Sequence, residues 1–161
     1  MRRRIEVTPS ARRLVTSLRD LGYSFPTAVA DLIDNSVSAG ASHVDVSIHF
    51  NGRESHIMIA DDGEGMTERE LDEGLRFGTR RKYRPEDLGR YGLGLKTASL
   101  SQGKRLTVVT RRASQYRRFY SRVLDLERVT RTDRWEILDG RGTWAFDLAI
   151  ERLEAGPGTV V

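Results

Sequence analysis

Residues 24–40 read SFPTAVADLIDNSVSAG, and they decide how this chain folds. Ser24 can cap a helix with Pro26 in its first turn, and the helix runs to Ala39 and stops at Gly40. Ala28, Val29, Leu32, Ile33 and Val37 make one apolar face. Asp31, Asn35 and Ser38 fall at i, i+4 and i+7 on the other side, with Asp34 beside them. Such a stripe is either a solvated face or an acid and an amide projecting into a site. In the second case the Asn35 oxygen suits Mg²⁺, and the Asp31 carboxylate one turn away can orient or deprotonate water.

On the N-terminal side, Thr8 followed by Pro9 reads as a helix start. Ala11, Leu14, Leu18 and Leu21 follow at helical spacing before Gly22. On the other side come Val44, Val46 and Ile48 in alternation, a turn at Asn51-Gly52, and Ile57-Met58-Ile59. That is a hairpin signal of type I′. Asp61-Asp62-Gly63-Glu64-Gly65 ends the second strand, and Thr67 with Glu70 forms a capping box that opens a helix burying Leu71 and Leu75. Residues 77–90 are basic and aperiodic, as functional or disordered loops are. Gly92 to Ser101 reads as a helix left at Gly103. Strands are expected at 105–110, 116–124 and 134–138, another around Trp144 and Phe146, and a last one from Thr159.

Two glycine segments carry the chemistry. Asp61-x-Gly63-x-Gly65 is a tight turn, or a loop in which a buried Asp accepts from an exocyclic amine and glycine lets a ring approach the backbone. Gly89-Arg90-Tyr91-Gly92-Leu93-Gly94-Leu95-Lys96-Thr97 imitates two other motifs and matches neither. Leu95 separates Gly94 from Lys96, which breaks a Walker A loop. Thr97 stands where a dinucleotide fingerprint needs glycine, and no strand precedes the run. What survives is a glycine run opening a helix, whose free N–H groups and dipole favour phosphate. Lys96 adds a point charge there or lies on the helix surface.

The chain has 161 residues, 38% hydrophobic and 31% charged, which suits one folded domain. No apolar run approaches the ~18–20 residues that span a bilayer, and the basic start lacks the apolar stretch of a secretory signal. There is no cysteine, hence no disulfide and no thiolate metal site. A cytoplasmic address without membrane contact is the expectation. The net charge is +4, yet 24 of the 27 basic residues are Arg. Codon bias accounts for that, or phosphate contact does, since guanidinium binds phosphate bidentately. Arg111-Arg112 and Arg117-Arg118 flank an expected hairpin, a face that could touch nucleic acid.

Taken in order, Asp31-Leu32-Ile33-Asp34-Asn35, Asp61-x-Gly63-x-Gly65, Gly89-x-x-Gly92-x-Gly94 and Gly158-Thr159 resemble the motif set of the GHKL ATPases, which share the Bergerat fold. The resemblance covers about residues 20–161. Phe77-Gly78-Thr79 leading to Gly92-Leu93-Gly94-Leu95-Lys96-Thr97-Ala98-Ser99 is most similar to the MORC and heat-shock-chaperone-like branch. It implies an α+β, two-layer sandwich with helices on one face of a mixed, mostly antiparallel sheet. It implies ATP and Mg²⁺ as ligands and slow hydrolysis. Asn35 would contact Mg²⁺, and Asp61 would accept the adenine N6 amine, with Gly63, Gly65, Met66 and Thr159 near the base. Gly89, Gly92 and Gly94 would wrap the β- and γ-phosphates, and Tyr91, Leu93, Leu95 and Lys96 complete the nucleotide-binding set. Residues 77–91 would be the ATP lid.

One departure concerns catalysis. The resemblance places the general base at Asp31, where the hydrolysing members usually carry Glu. Aspartate reaches roughly 1.5 Å less far. A slowly hydrolysing ATPase that gates dimerisation of a larger machine is therefore expected, with a non-hydrolysing ATP-sensing switch or a histidine-kinase-type catalytic domain as alternatives. His43, His49 and His56 lie in or near the hairpin rather than on a dimerisation helix. The chain stops two residues after Thr159, where a core strand should continue, so it reads as the N-terminal part of a longer protein that dimerises through segments outside it or through ATP.

Overall fold

The computed structural model describes residues 8–20, 23–77 and 94–161. Within them the helices are α1 (Ala11–Arg19), α2 (Phe25–Ser38), α3 (Glu68–Leu75), α4 (Gly94–Gln102), α5 (Leu126–Thr132) and α6 (Trp144–Arg152). The strands are β1 (Val44–His49), β2 (His56–Asp61), β3 (Arg105–Arg111), β4 (Tyr120–Asp125), β5 (Leu138–Asp139) and β6 (Gly158–Val160). They form one sheet in the order β1-β2-β6-β3-β4-β5. Every neighbouring pair is antiparallel.

The last strand in sequence enters the middle of the sheet. Thr159 pairs with Asp61 on one side and with Thr110 on the other. Because successive strand residues point to opposite faces, Val108 and Val109 belong to two separate cores. Val108 packs with Leu106, Leu124, Leu71, Leu75, Leu100 and Val129, so α1, α3, α4 and α5 cover one face. Val109 packs with Met58, Val160, Ala149 and Leu153, which puts α6 against the opposite face.

Several local expectations hold. Ser24 caps α2, accepting from the Thr27 amide, and Gly40 follows in the left-handed region at φ 72°. The capping box at Thr67 and Glu70 is formed, and Leu71 and Leu75 are buried. Others are corrected. The first helix is capped by Ser10, not by Thr8 and Pro9, because Ser10 accepts from Arg13 while Asp133 receives both the Ser10 hydroxyl and the Arg12 amide. That tie to the end of α5 buries Ala11 and Val15 and leaves Leu14 exposed. Leu21 and Gly22 lie outside the described residues.

The hairpin between β1 and β2 exists, but its connection is not a type I′ turn. That turn needs φ > 0 at both central residues, whereas Asn51 has φ −147° and a 3₁₀ turn over Gly52–Glu54 follows. His49 opposite His56 closes the ladder. The strand expected at Trp144 and Phe146 is helix α6: Thr143 caps it by accepting from the Phe146 amide, and Ala149 faces the core. The stretch from residue 126 forms α5, capped by Asp125, and the strand expected at 134–138 is reduced to Leu138–Asp139. The strand expected at 116–124 begins at Tyr120. No helix among the described residues is long and apolar enough to cross a membrane.

Candidate nucleotide-binding site

Helix α2 and the end of β2 are joined by one carboxylate. Asp61 Oδ2 accepts from the Ser36 hydroxyl at 2.9 Å, and Asp61 Oδ1 accepts from the amides of Gly63 at 2.9 Å and Thr159 at 3.2 Å. Three donors therefore fix one side chain at the meeting point of α2, β2 and β6. Ser36 is buried on the same helix whose Val37 is exposed, so the α2 face that meets the sheet is not purely apolar. The buried hydroxyl is tolerated because it has a charged partner.

Thr110 holds the neighbouring strand in the same way. Its hydroxyl accepts from the Met66 amide at 2.9 Å, donates to the Gly158 carbonyl at 2.9 Å, and lies 3.1 Å from the Thr159 hydroxyl. Thr110 is fully buried, and Thr159 is nearly so. Asp62 secures the other end of the turn: it accepts from the Ser42 hydroxyl and from the amides of Ser42 and His43. The Ser42 hydroxyl, together with these amides, holds its carboxyl below the usual carboxylate range.

The glycines of this turn are set by protein neighbours. A Cβ at Gly65, which has φ 66°, would stand 2.2 Å from the Arg111 carbonyl oxygen. A Cβ at Gly63 would stand 2.9 Å from the Ala39 carbonyl oxygen, where the Glu64 amide also donates. The turn is thus pressed between the end of α2 and the end of β3. Arg111 and Arg112 help to clamp it: Arg111 is buried and donates to the Glu154 and Gly156 carbonyls, and Arg112 bridges Glu64 and Glu70. Both guanidiniums are therefore engaged within the protein, whereas Arg117 and Arg118 are exposed.

Asp31 and Asn35 are half-buried on α2, four residues apart, while Asp34 and Ser38 are exposed. Asp31 Oδ2 accepts from the Tyr23 hydroxyl. That bond, with burial and the carboxylate charge behind it, pushes the Tyr23 phenol above its ordinary value. The Asn35 amide nitrogen is buried without a hydrogen-bond partner. Among the described residues no group of three or more His, Asp and Glu side chains could hold a metal by itself. An amide N–H left without a partner suits an acceptor such as a phosphate oxygen, and the oxygen of the same side chain is a hard ligand of the kind that Mg²⁺ carried on phosphates takes.

Helix α4 packs along α2. It begins at Gly94, and Gly89, Tyr91, Gly92 and Leu93 lie outside the described residues, as does the expected lid beyond Phe77. Leu95 packs against the larger core. Lys96 is fully buried rather than on the helix surface, and its Nζ donates to the Gly74 carbonyl at 2.6 Å and lies 5.5 Å from the centroid of Phe77. Burial lowers its pKa to about 8.

Residues 23–152 match the family described as histidine kinase-, DNA gyrase B- and HSP90-like ATPases. This chain is a GHKL ATPase domain. Among curated relatives it is 33% identical over 86 residues to ATPase morc-1 of Caenorhabditis elegans, covering 53% of this chain and 10% of that protein. It is 34% identical over 92 residues to human ATPase MORC2, covering 53% and 9%, and 36% identical over 95 residues to the DNA mismatch repair protein MutL of Rhodopseudomonas palustris, covering 55% and 15%. The matches thus span a small part of each relative's length. Membership supports ATP as the ligand of the GHKL domain and agrees with its α+β sheet.

Ser36, Thr110 and Tyr23 are the residues that sequence reasoning passed over. Ser36 adjoins Asn35 in the sequence and Thr110 alternates with the buried Val108, but neither carries a local pattern that marks a polar partner across the fold.

Proposed function

We propose that this GHKL domain binds Mg-ATP over α2 and the β2–β6 junction and hydrolyses it slowly. Asp61 would accept the adenine N6 amine, with Gly63, Gly65, Met66 and Thr159 around the base. Asn35 would contact Mg²⁺, whose charge offsets that of the phosphates. Gly89, Gly92 and Gly94, with Tyr91, Leu93, Leu95 and Lys96, would surround the β- and γ-phosphates. Asp31 would take a proton from the attacking water. Closure of residues 77–91 over ATP would gate dimerisation, within a larger assembly acting in the cytoplasm.

The observation that carries this reading is the unpartnered Asn35 amide nitrogen, a donor suited to a phosphate oxygen, one turn from Asp31 on the helix whose Ser36 holds Asp61. Calorimetric titration with ATP, with and without Mg²⁺, tests it. Wild type should bind, and Asn35→Ala should bind with no Mg²⁺ dependence. Equal Mg²⁺ dependence in both proteins would refute the metal assignment. A non-hydrolysing sensor remains the alternative for the same pocket, and turnover by Asp31 variants separates the two. Of the three histidines, His49 and His56 face each other across β1 and β2 with ring centroids 5.0 Å apart, so they sit in the sheet and not on a dimerisation helix.

A second reading concerns the partner. Arg117 and Arg118 line a cavity of about 440 Å³ with Ser121, Arg122 and Arg141, and neither of the two guanidiniums has a partner among the described residues. Nucleic-acid phosphate would suit them. Binding of duplex DNA that falls steeply with salt, ignores sequence and weakens in Arg117→Ala/Arg118→Ala supports this contact. Unchanged binding in that variant excludes it.

A further inference from the structure

Tyr23 is held at both ends. Its hydroxyl donates to Asp31 Oδ2, eight residues on and across the first two turns of α2. Its carbonyl accepts from Gln102 Nε2 at 2.8 Å, at the C-terminal end of α4. The same Gln102 amide also reaches the Ser101 hydroxyl at 3.0 Å. Tyr23 therefore spans from the carboxylate on α2 to the far end of the helix that the glycine segment opens. The ring is half-buried, and nothing in the proposed ATP contacts uses it.

Aspartate has a short side chain and a rotatable carboxylate, and a general base misplaced by about 1 Å can lose ~10²-fold in rate. A donor on Oδ2 restrains the carboxylate and leaves Oδ1 to act as the proton acceptor. We propose that Tyr23 is the positioning residue for Asp31 in ATP hydrolysis, its hydroxyl holding the carboxylate while its backbone is anchored to α4. This rests on the reading of Asp31 as the base. In the step itself, a water oxygen bonds to the γ-phosphorus, its proton passes to Asp31 Oδ1, and the bond to the β–γ bridging oxygen breaks to give ADP and phosphate. Tyr23 keeps its proton throughout, and the raised phenol pKa agrees with that. A shift of α4 when phosphate binds at its N-terminal end would reach Asp31 through the same residue.

The test is a double-mutant cycle on the 161-residue chain with Mg-ATP, using Tyr23→Phe, Asp31→Asn and the pair. Tyr23→Phe should bind ATP within about 2-fold of wild type and lose about 10–10²-fold in kcat with KM nearly unchanged. In the Asp31→Asn background the same change should have no further effect. An equal loss in both backgrounds would mean a structural role and would overturn the proposal, as would turnover equal to or above wild type in Tyr23→Phe. If Asp31→Asn or wild type shows that Asp31 does not drive turnover, the reading of the base fails and this inference with it. If Asp31→Asn is inactive and Tyr23→Phe fully active, only the inference fails. Ultraviolet titration of the five tyrosines reads the bond without turnover. One tyrosine should ionise above the others in wild type and lose that lag in Asp31→Asn, and its absence from wild type would overturn the proposal.

Discussion

The Ser36 hydroxyl donates to Asp61 Oδ2 across 2.9 Å, and this one bond joins the helix bearing Asp31 and Asn35 to the end of β2. Asp61 is thereby fixed by donors on three sides, with Gly63 and Thr159 supplying the other two. Its acceptor capacity toward a ligand amine is what remains.

Replacing Asp61 by Asn should separate binding from folding. The amide oxygen can still serve the Gly63 and Thr159 amides, and the Ser36 hydroxyl can turn to accept. An NH₂ group, however, cannot accept from the adenine amine. ATP affinity should fall by roughly 10²-fold or more while stability falls by about 1 kcal/mol. Ser36→Ala should do the reverse in part, costing about 1 kcal/mol of stability and a severalfold loss of affinity. Calorimetry and urea unfolding read the two quantities, and retained affinity in Asp61→Asn would refute the role.

The turn at Gly65 offers a stability test with an internal control. Gly65 and Gly142 both have positive φ, at 66° and 76°, but a Cβ at Gly65 meets the Arg111 carbonyl at 2.2 Å and one at Gly142 meets nothing within 4 Å. Gly142→Ala should cost about 1 kcal/mol from backbone strain alone. Gly65→Ala should cost about 3 kcal/mol or more, because the clash adds to the strain. Similar urea midpoints for the two variants would contradict the close approach.

Lys96 predicts how stability changes with pH. Its folded pKa, about 8, lies below the ordinary 10.5. The unfolded chain therefore binds more protons between those values, and stability rises with pH across that window. Below pH 8 the lysine is charged in both states and its burial cost is felt in full. Wild type should gain about 1–3 kcal/mol from pH 8 to 10.5, and Lys96→Met, which keeps much of the volume, should lack that rise. Parallel pH profiles of the two proteins by chemical denaturation would exclude it.

Asp31→Glu distinguishes an ATPase from a sensor. If Asp31 already serves as the base, the longer side chain loses the Tyr23 bond and turnover stays level or falls. A rise of about 10-fold or more would mean that reach limits wild type and that this chain acts as a switch. Asp31→Asn should lower any turnover by about 10²–10⁴-fold without weakening ATP binding.

The sequence by itself determined the local elements and the order of the motifs. The Ser24 cap and the Thr67–Glu70 box are bonds between residues three apart, so their patterns are written in adjacent letters. The ordered Asp31–Asn35, Asp61–Gly65 and glycine-run motifs were enough to indicate the GHKL domain and its α+β layers. Trp144 and Phe146 misled because aromatic content favours strands, whereas the Thr143 cap and the contact of Ala149 with the core made that segment a helix. Only the tertiary structure decided that β6 enters between β2 and β3, since the bond from the Thr159 amide to Asp61 joins residues 98 apart. It alone brought Ser36 to Asp61, Thr110 to Met66, and Gln102 to Tyr23. Polar partners of that kind have no period along the chain. They are chosen by which polar groups the folded sheet and its helices leave buried and in need of a bond.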